Sequence, residues 1–160
     1  MNAIVVIGCG NLARSDDGVG PHVVRSLQRR GLGADARVRL LDAGTDGMAV
    51  MFAARGCRTL IVVDAVRSGS APGAVFELPG SEAENAGAPS LSVHEFRWDH
   101  ALFAGRRMYG ESFPSDVTVL LVEAHSTGFG MDLSASVAAA AETVAQRVER
   151  LVHERLKAAA

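Results

Sequence analysis

Cysteine is scarce in this chain of 160 residues: Cys9 and Cys57 are the only two, and they follow neither a CxxC nor a paired-ligand spacing. No disulfide framework or cysteine-built metal site can be read from them, and 160 residues suffice to bury a core without such staples. Long apolar runs are missing as well. Nothing approaches the roughly 20 continuous apolar residues that cross a bilayer, and the N-terminal "AIVVI" is too short, and lacks the basic flank, for a signal peptide. These absences predict a protein of the reducing cytoplasm with no membrane partner. An excess of charge of one sign is missing too: the formal net charge is -2, so there is no general pull toward nucleic acid. With 48% hydrophobic and 21% charged residues the composition is that of an ordinary globular domain, so residues 1–160 are expected to form one domain and any partner must be read from a local site.

What is present is an alternation of two periods. Ala3 to Ile7 is short, continuous and β-branched, which predicts a buried strand ended by Gly8. Pro21 suits a helix N-terminus, and Val23, Val24 and Leu27 recur at helical spacing until Gly31. Val38 to Leu41 predicts a second strand, followed by a short helix capped by Asp46 and carrying Met48, Met51 and Phe52. Leu60 to Val63 predicts a third strand ending at Asp64, Ala74 to Leu78 a fourth, and residues 79 to 92 a surface loop. A helix is expected from His94 to about Tyr109, with Trp98, Ala101, Leu102 and Met108 near one face, then a strand over "DVTVLLVEA". A long helix follows after Ser134 or Asp132, its stripe running through Val137, Ala141, Val144, Val148, Leu151 and Val152. This pattern predicts an α/β fold: a single three-layer domain with a mostly parallel, twisted sheet of about five strands and helices on both faces.

The stretch "GCGNLARSDDGVG", Gly8 to Gly20, carries the chemistry. Its first six residues satisfy the loose dinucleotide fingerprint G-x-G-x-x-[G/A], so the alternative reading is a non-enzymatic α/β module that binds a dinucleotide or a metal. Three features oppose it. The helix is delayed to about Pro21 instead of opening on the glycines, where its amides would meet a pyrophosphate. The acid at Asp42 lies well beyond the roughly 20-residue offset of a ribose ligand. Asp16 and Asp17 would repel a phosphate.

Ligands of open α/β sheets sit beyond the carboxyl ends of the strands, and here those ends carry acids: Asp16 and Asp17, Asp42, and Asp64. Carboxylates so gathered repel one another unless a proton or cation lies among them, so the arrangement reads as a cation site. An imidazole would shift its preference from magnesium or calcium toward nickel, zinc or another transition metal, and His94 is the best placed donor. Taken singly, Asp16 and Asp42 read as helix-capping or loop-bonding residues. Cys9 has no evident base beside it and reads as a buried filler, and His153 as a surface residue of the last helix.

These residues resemble a known family. "GCGNLARSDDGVG" is similar to the G-x-G-N-x-L-x-x-D-[DE]-G-x-G opening of the hydrogenase maturation proteases, with asparagine and leucine adjacent as "GNL". "LLDAGTDGM" resembles that family's D-G-G-T-x-G segment, "IVVDAVRSGSAPGAVFEL" its strand, D-A and later P-G run, and "SVHEF" its S-x-H segment. The likeness spans about Ile4 to Leu133 with the blocks in order. Ala43 stands where glycine is usual, Asp17 where some members carry glutamate, and "LLVEAHSTGFGMDLS" matches only loosely.

The resemblance implies an endopeptidase that removes a C-terminal extension from the large-subunit precursor of a [NiFe] hydrogenase after nickel insertion. It implies that Asp17, Asp64 and His94 contact the metal and carry the catalysis, with nickel arriving on the client and zinc or another divalent transition metal possible in the free protein. The expected mechanism is metal-dependent hydrolysis, with Asp16 or Asp42 as candidate proton handlers. An aspartic-type mechanism, in which carboxyls among Asp16, Asp17 and Asp64 share a proton, stays open beside it. The single apolar face of the last helix is explained by core packing, so a monomer that meets its client transiently is expected.

Overall fold

The computed structural model describes residues 3–84 and 96–160. The chain runs β1 (Ile4–Cys9), α1 (Val19–Arg29), β2 (Val38–Gly44), α2 (Gly47–Ala54), β3 (Thr59–Val66), β4 (Val75–Pro79), α3 (Gly80–Ala83), α4 (Trp98–Tyr109), β5 (Asp116–Glu123) and α5 (Ala135–Ala158). The strands form one sheet in the order β2-β1-β3-β5-β4, parallel except for β4, which runs antiparallel to β5 at the edge.

Alternation along the strands divides the interior in two. Ile4, Val6, Ile61, Val63, Leu120 and Val122 face α1 and α5, while Val5, Ile7, Leu60, Val62 and Val119 face α2 and α4. The three central strands are buried on both faces, which is why their sequence reads as unbroken apolar runs. The expected three-layer α/β architecture is the one observed.

Local boundaries differ from the expectation in four places. α1 starts at Val19, ahead of Pro21, because the 3-10 turn Ser15–Gly18 runs directly into it; Pro21 is tolerated since first-turn N–H groups lack intrahelical acceptors anyway. β3 continues two residues past Asp64, whose backbone pairs with β5 and places the acid inside the strand. The segment after β4 begins with the short helix α3 instead of a loop. The helix expected from His94 begins only at Trp98, because Arg97 before it has the extended backbone of an N-cap residue; His94 itself and the loop residues 85–92 lie outside the described residues. Among the described residues no helix is long and apolar enough to cross a membrane.

The glycines of the first loop serve packing. A Cβ on Gly8 would collide with the Gly20 carbonyl oxygen, and one on Gly20 with the backbone of Cys9 and Val63, so these two glycines let the start of α1 lie against the ends of β1 and β3. Gly10 has a φ of 131° and sits where a side chain would strike the Asp17 carbonyl oxygen. The loop is thereby folded back on itself, with Asp17 turned toward the end of β1.

Candidate active site

At the carboxyl edge of the sheet a cleft of about 670 Å³ opens between the β1–α1 loop, the β2–α2 turn, the end of β3 and the start of α4. Asp17 and Asp64 both line it, together with Arg14, Arg67, Arg97 and Trp98. Two of the three expected site residues are therefore brought together; the third, His94, lies outside the described residues.

Asp17 is half-buried in the 3-10 turn, and its Oδ2 accepts a hydrogen bond from the Asn11 N–H at 2.8 Å. The turn is entered through Ser15, whose φ of 51° makes it the positive-φ residue other than glycine in the described chain. Its backbone is fixed from outside by Ser15 N–H donating to the Gly130 carbonyl and Gly130 N–H donating to that of Ala13. Asp64 is 8% exposed. Its Oδ1 accepts from the Ala65 N–H at 2.7 Å and its Oδ2 from the indole Nε1–H of Trp98 at 2.7 Å. Burial pushes the Asp64 carboxyl up to about 7, with the Asp17 charge adding to the rise against the hydrogen bonds from Trp98 and Ala65. Asp64 can therefore hold or release a proton near neutrality.

The other acids have structural duties. Asp16 is fully buried, and its Oδ2 accepts from His125 N–H, Ser126 N–H and Ser134 Oγ–H at 2.9, 3.0 and 2.9 Å, while its Oδ1 accepts from Ser134 N–H at 2.7 Å. Burial alone would raise its pKa, but these bonds outweigh it and hold the carboxyl below its ordinary value. Asp16 thus ties the loop after β5 to the turn that carries Asp17 and is not free to move protons. Asp42 is exposed and accepts from the Gly44 N–H at 2.9 Å, a loop bond of the expected kind. Asp46 caps α2 as the sequence predicts, accepting from the N–H groups of Met48 and Ala49. Cys9 borders the cleft, but burial first, then the Asp64 and Asp42 charges, push its thiol well above the ordinary range. It is a buried filler, without thiolate character. His153 is exposed on α5.

Two features of the cleft escaped the sequence. Trp98 reads there as one apolar position of a helical stripe, and the strand that holds its hydrogen-bond partner is 34 residues away. The arginines come from three separate segments. Arg14 stacks over the Phe129 ring at 4.6 Å and Arg67 donates to Thr127 Oγ1 at 2.9 Å, so both lean on the loop after β5. Residues so far apart share no local pattern, and only the tertiary fold gathers them.

Comparison with known proteins shows what the whole chain is similar to. The family model described as hydrogenase maturation protease matches residues 21–151. The Hydrogenase 2 maturation protease of Escherichia coli (strain K12) is 30% identical over 152 residues, covering 94% of this chain and 91% of that protein. Hydrogenase expression/formation protein HupD of Thiocapsa roseopersicina is 35% identical over 100 residues, which span 62% of this chain and 45% of HupD. Among solved structures, the hydrogenase maturating endopeptidase HybD from E. coli superposes with a TM-score of 0.79 at 26% identity, covering 96% of this chain and 93% of that one.

Proposed function

The chain belongs to the hydrogenase maturation protease family, hydrolases of peptide bonds, and on that premise we propose that it removes the C-terminal extension from a nickel-loaded large-subunit precursor of a [NiFe] hydrogenase. The observation that carries this reading is that Asp17 and Asp64, from separate elements, line one open cleft at the carboxyl edge of the sheet.

The donor set suits a metal that arrives with the substrate. Asp17 and Asp64 offer two carboxylates from this chain, and His94 is the third ligand of the proposal. An imidazole added to carboxylates favours nickel or zinc over magnesium or calcium. A partial shell leaves positions for ligands of the client, so the protein would test for metal loading without stripping the ion from its owner. A metal held there by Asp17, Asp64 and His94 would supply a Lewis acid to the scissile carbonyl and would acidify water bound beside it.

The remaining steps belong to the chain's own residues. Asp64, its two oxygens oriented by the Ala65 and Trp98 N–H groups, would take the proton from the attacking water and return it to the leaving amine. Asp17, held by the Asn11 N–H, stays on the cleft wall beside Asp64. The same pair could share one proton as an aspartic-type dyad, a second reading favoured by the upward push that the Asp17 charge exerts on Asp64. Arg14, Arg67 and Arg97 border the entrance and orient the incoming chain. The proposal places the protein in the cytoplasm as a monomer meeting its client transiently.

The test is incubation of the purified protein with nickel-loaded and nickel-free precursor. Cleavage of the loaded form only is expected. Tight client binding retained with cleavage lost in Asp64→Ala would show that this carboxylate acts in the reaction and not in recognition alone. A loaded precursor left uncut, together with tight binding of NAD or ATP, would refute the reading in favour of a nucleotide-binding module.

A further inference from the structure

We propose that Trp98 is a positioning residue of the site, one that sets the Asp64 carboxylate for metal contact through its indole N–H and reports metal arrival through its emission. The inference rests on the reading of Asp64 as a metal-contacting residue and deepens it.

Trp98 is the single tryptophan of the chain and the first residue of α4. It is 7% exposed, packed in the apolar cluster that includes Ile7, Cys9, Val62, Ala101 and Leu102. Its Nε1–H has one acceptor, Asp64 Oδ2 at 2.7 Å, and the bond is buried. An aromatic chosen for bulk alone would not need that donor, and an indole N–H in such a place requires an acceptor.

The geometry at Asp64 gives the bond a purpose. Ala65 N–H holds Oδ1 and Trp98 Nε1–H holds Oδ2, so both oxygens are tethered and rotation about the carboxyl plane is blocked. Each oxygen keeps a further lone pair for a cation or a proton. Hydrogen-bonding partners that orient ligating carboxylates in this way matter to the metal nearly as much as the ligands do. The Ala65 bond belongs to the backbone of β3 and is present whatever the side chains, whereas the Trp98 bond joins the site to α4. Trp98 is thus the side chain that couples the placement of α4 to the orientation of the carboxylate. An open-shell ion such as Ni²⁺ seated on that carboxylate lies close enough to the indole to quench it.

Nickel chloride titrated into the metal-free protein, followed in parallel by calorimetry and by tryptophan emission, tests this. A saturable loss of emission is expected, with the same midpoint as the calorimetric isotherm. Trp98→Phe keeps an apolar ring and loses the N–H; measured well below its melting temperature, its nickel affinity should fall by about 10- to 100-fold. Asp64→Ala should abolish nickel binding and quenching together. Wild-type nickel affinity in Trp98→Phe, with binding lost in Asp64→Ala, overturns the positioning role and leaves the site reading intact. No binding to the unaltered protein at millimolar nickel overturns the inference alone, and wild-type affinity in Asp64→Ala overturns both. Should Trp98→Phe fail to fold, the unaltered protein decides: calorimetric binding without any change in emission overturns the inference, and coincident quenching supports it.

Discussion

Two neighbouring aspartates, Asp16 and Asp17, show how burial assigns opposite duties to one side chain. Asp16 points inward to four donors, and Asp17 faces the cleft with one. Asp16→Asn would set an amide against N–H groups that need an acceptor, and should lower folding stability by about 2–3 kcal/mol in chemical denaturation. The pH dependence follows from the lowered pKa of Asp16. In the window between its native value and the ordinary 3.8, the unfolded chain binds more protons, so this contribution is complete above about 4 and is lost as the pH falls through the native value. Denaturation curves for the native protein and Asp16→Asn should therefore converge below pH 4. A constant gap down to pH 2 would show that the carboxylate charge does not hold the loop. Alternation and residue type in the sequence identify both aspartates as candidates, but they do not say which one turns inward. That choice is made by Ser126 and Ser134, more than a hundred residues away.

The elements that position the cleft were legible to different degrees. Strands and long helices announce themselves because burial on both faces gives unbroken apolar runs in β1, β3 and β5, and one-sided burial gives α5 its stripe. The start of α1 was less legible, because it depends on two glycines meeting across space: Gly8→Ala should force α1 away from β1 and lower both melting temperature and activity, measured by thermal denaturation and precursor cleavage. The loop after β5 carries the stretch of the sequence that resembles the family most loosely. Its backbone is held by Asp16 and by the bonds between Gly130 and residues 13 and 15, leaving side chains such as Phe129 free to differ. Phe129 is 88% exposed beside Arg14 and the cleft. Phe129→Ala should leave stability within about 0.5 kcal/mol while raising KM for the precursor and sparing kcat; an unchanged KM would remove this loop from client contact.

For the whole molecule, a rigid sandwich carries a site confined to one edge, so stability and catalysis should separate. Leu27 is fully buried between α1 and the sheet, and Leu27→Ala should cost about 2–5 kcal/mol of stability, with kcat/KM near the native value well below the new melting temperature. The domain, its layers and the pair Asp17 and Asp64 could be read from the chain because strand ends converge by topology alone. The tryptophan and arginines around that pair could not, since they come together only when α4 and the loop after β5 are in place. The most direct measurement is the rate at which the C-terminal extension is released from nickel-loaded precursor, followed by mass spectrometry for the native protein and Asp64→Ala. The account predicts a shortened large subunit with the native protein and a rate lower by about 10²–10⁴-fold with Asp64→Ala. Release by Asp64→Ala at the native rate would contradict it.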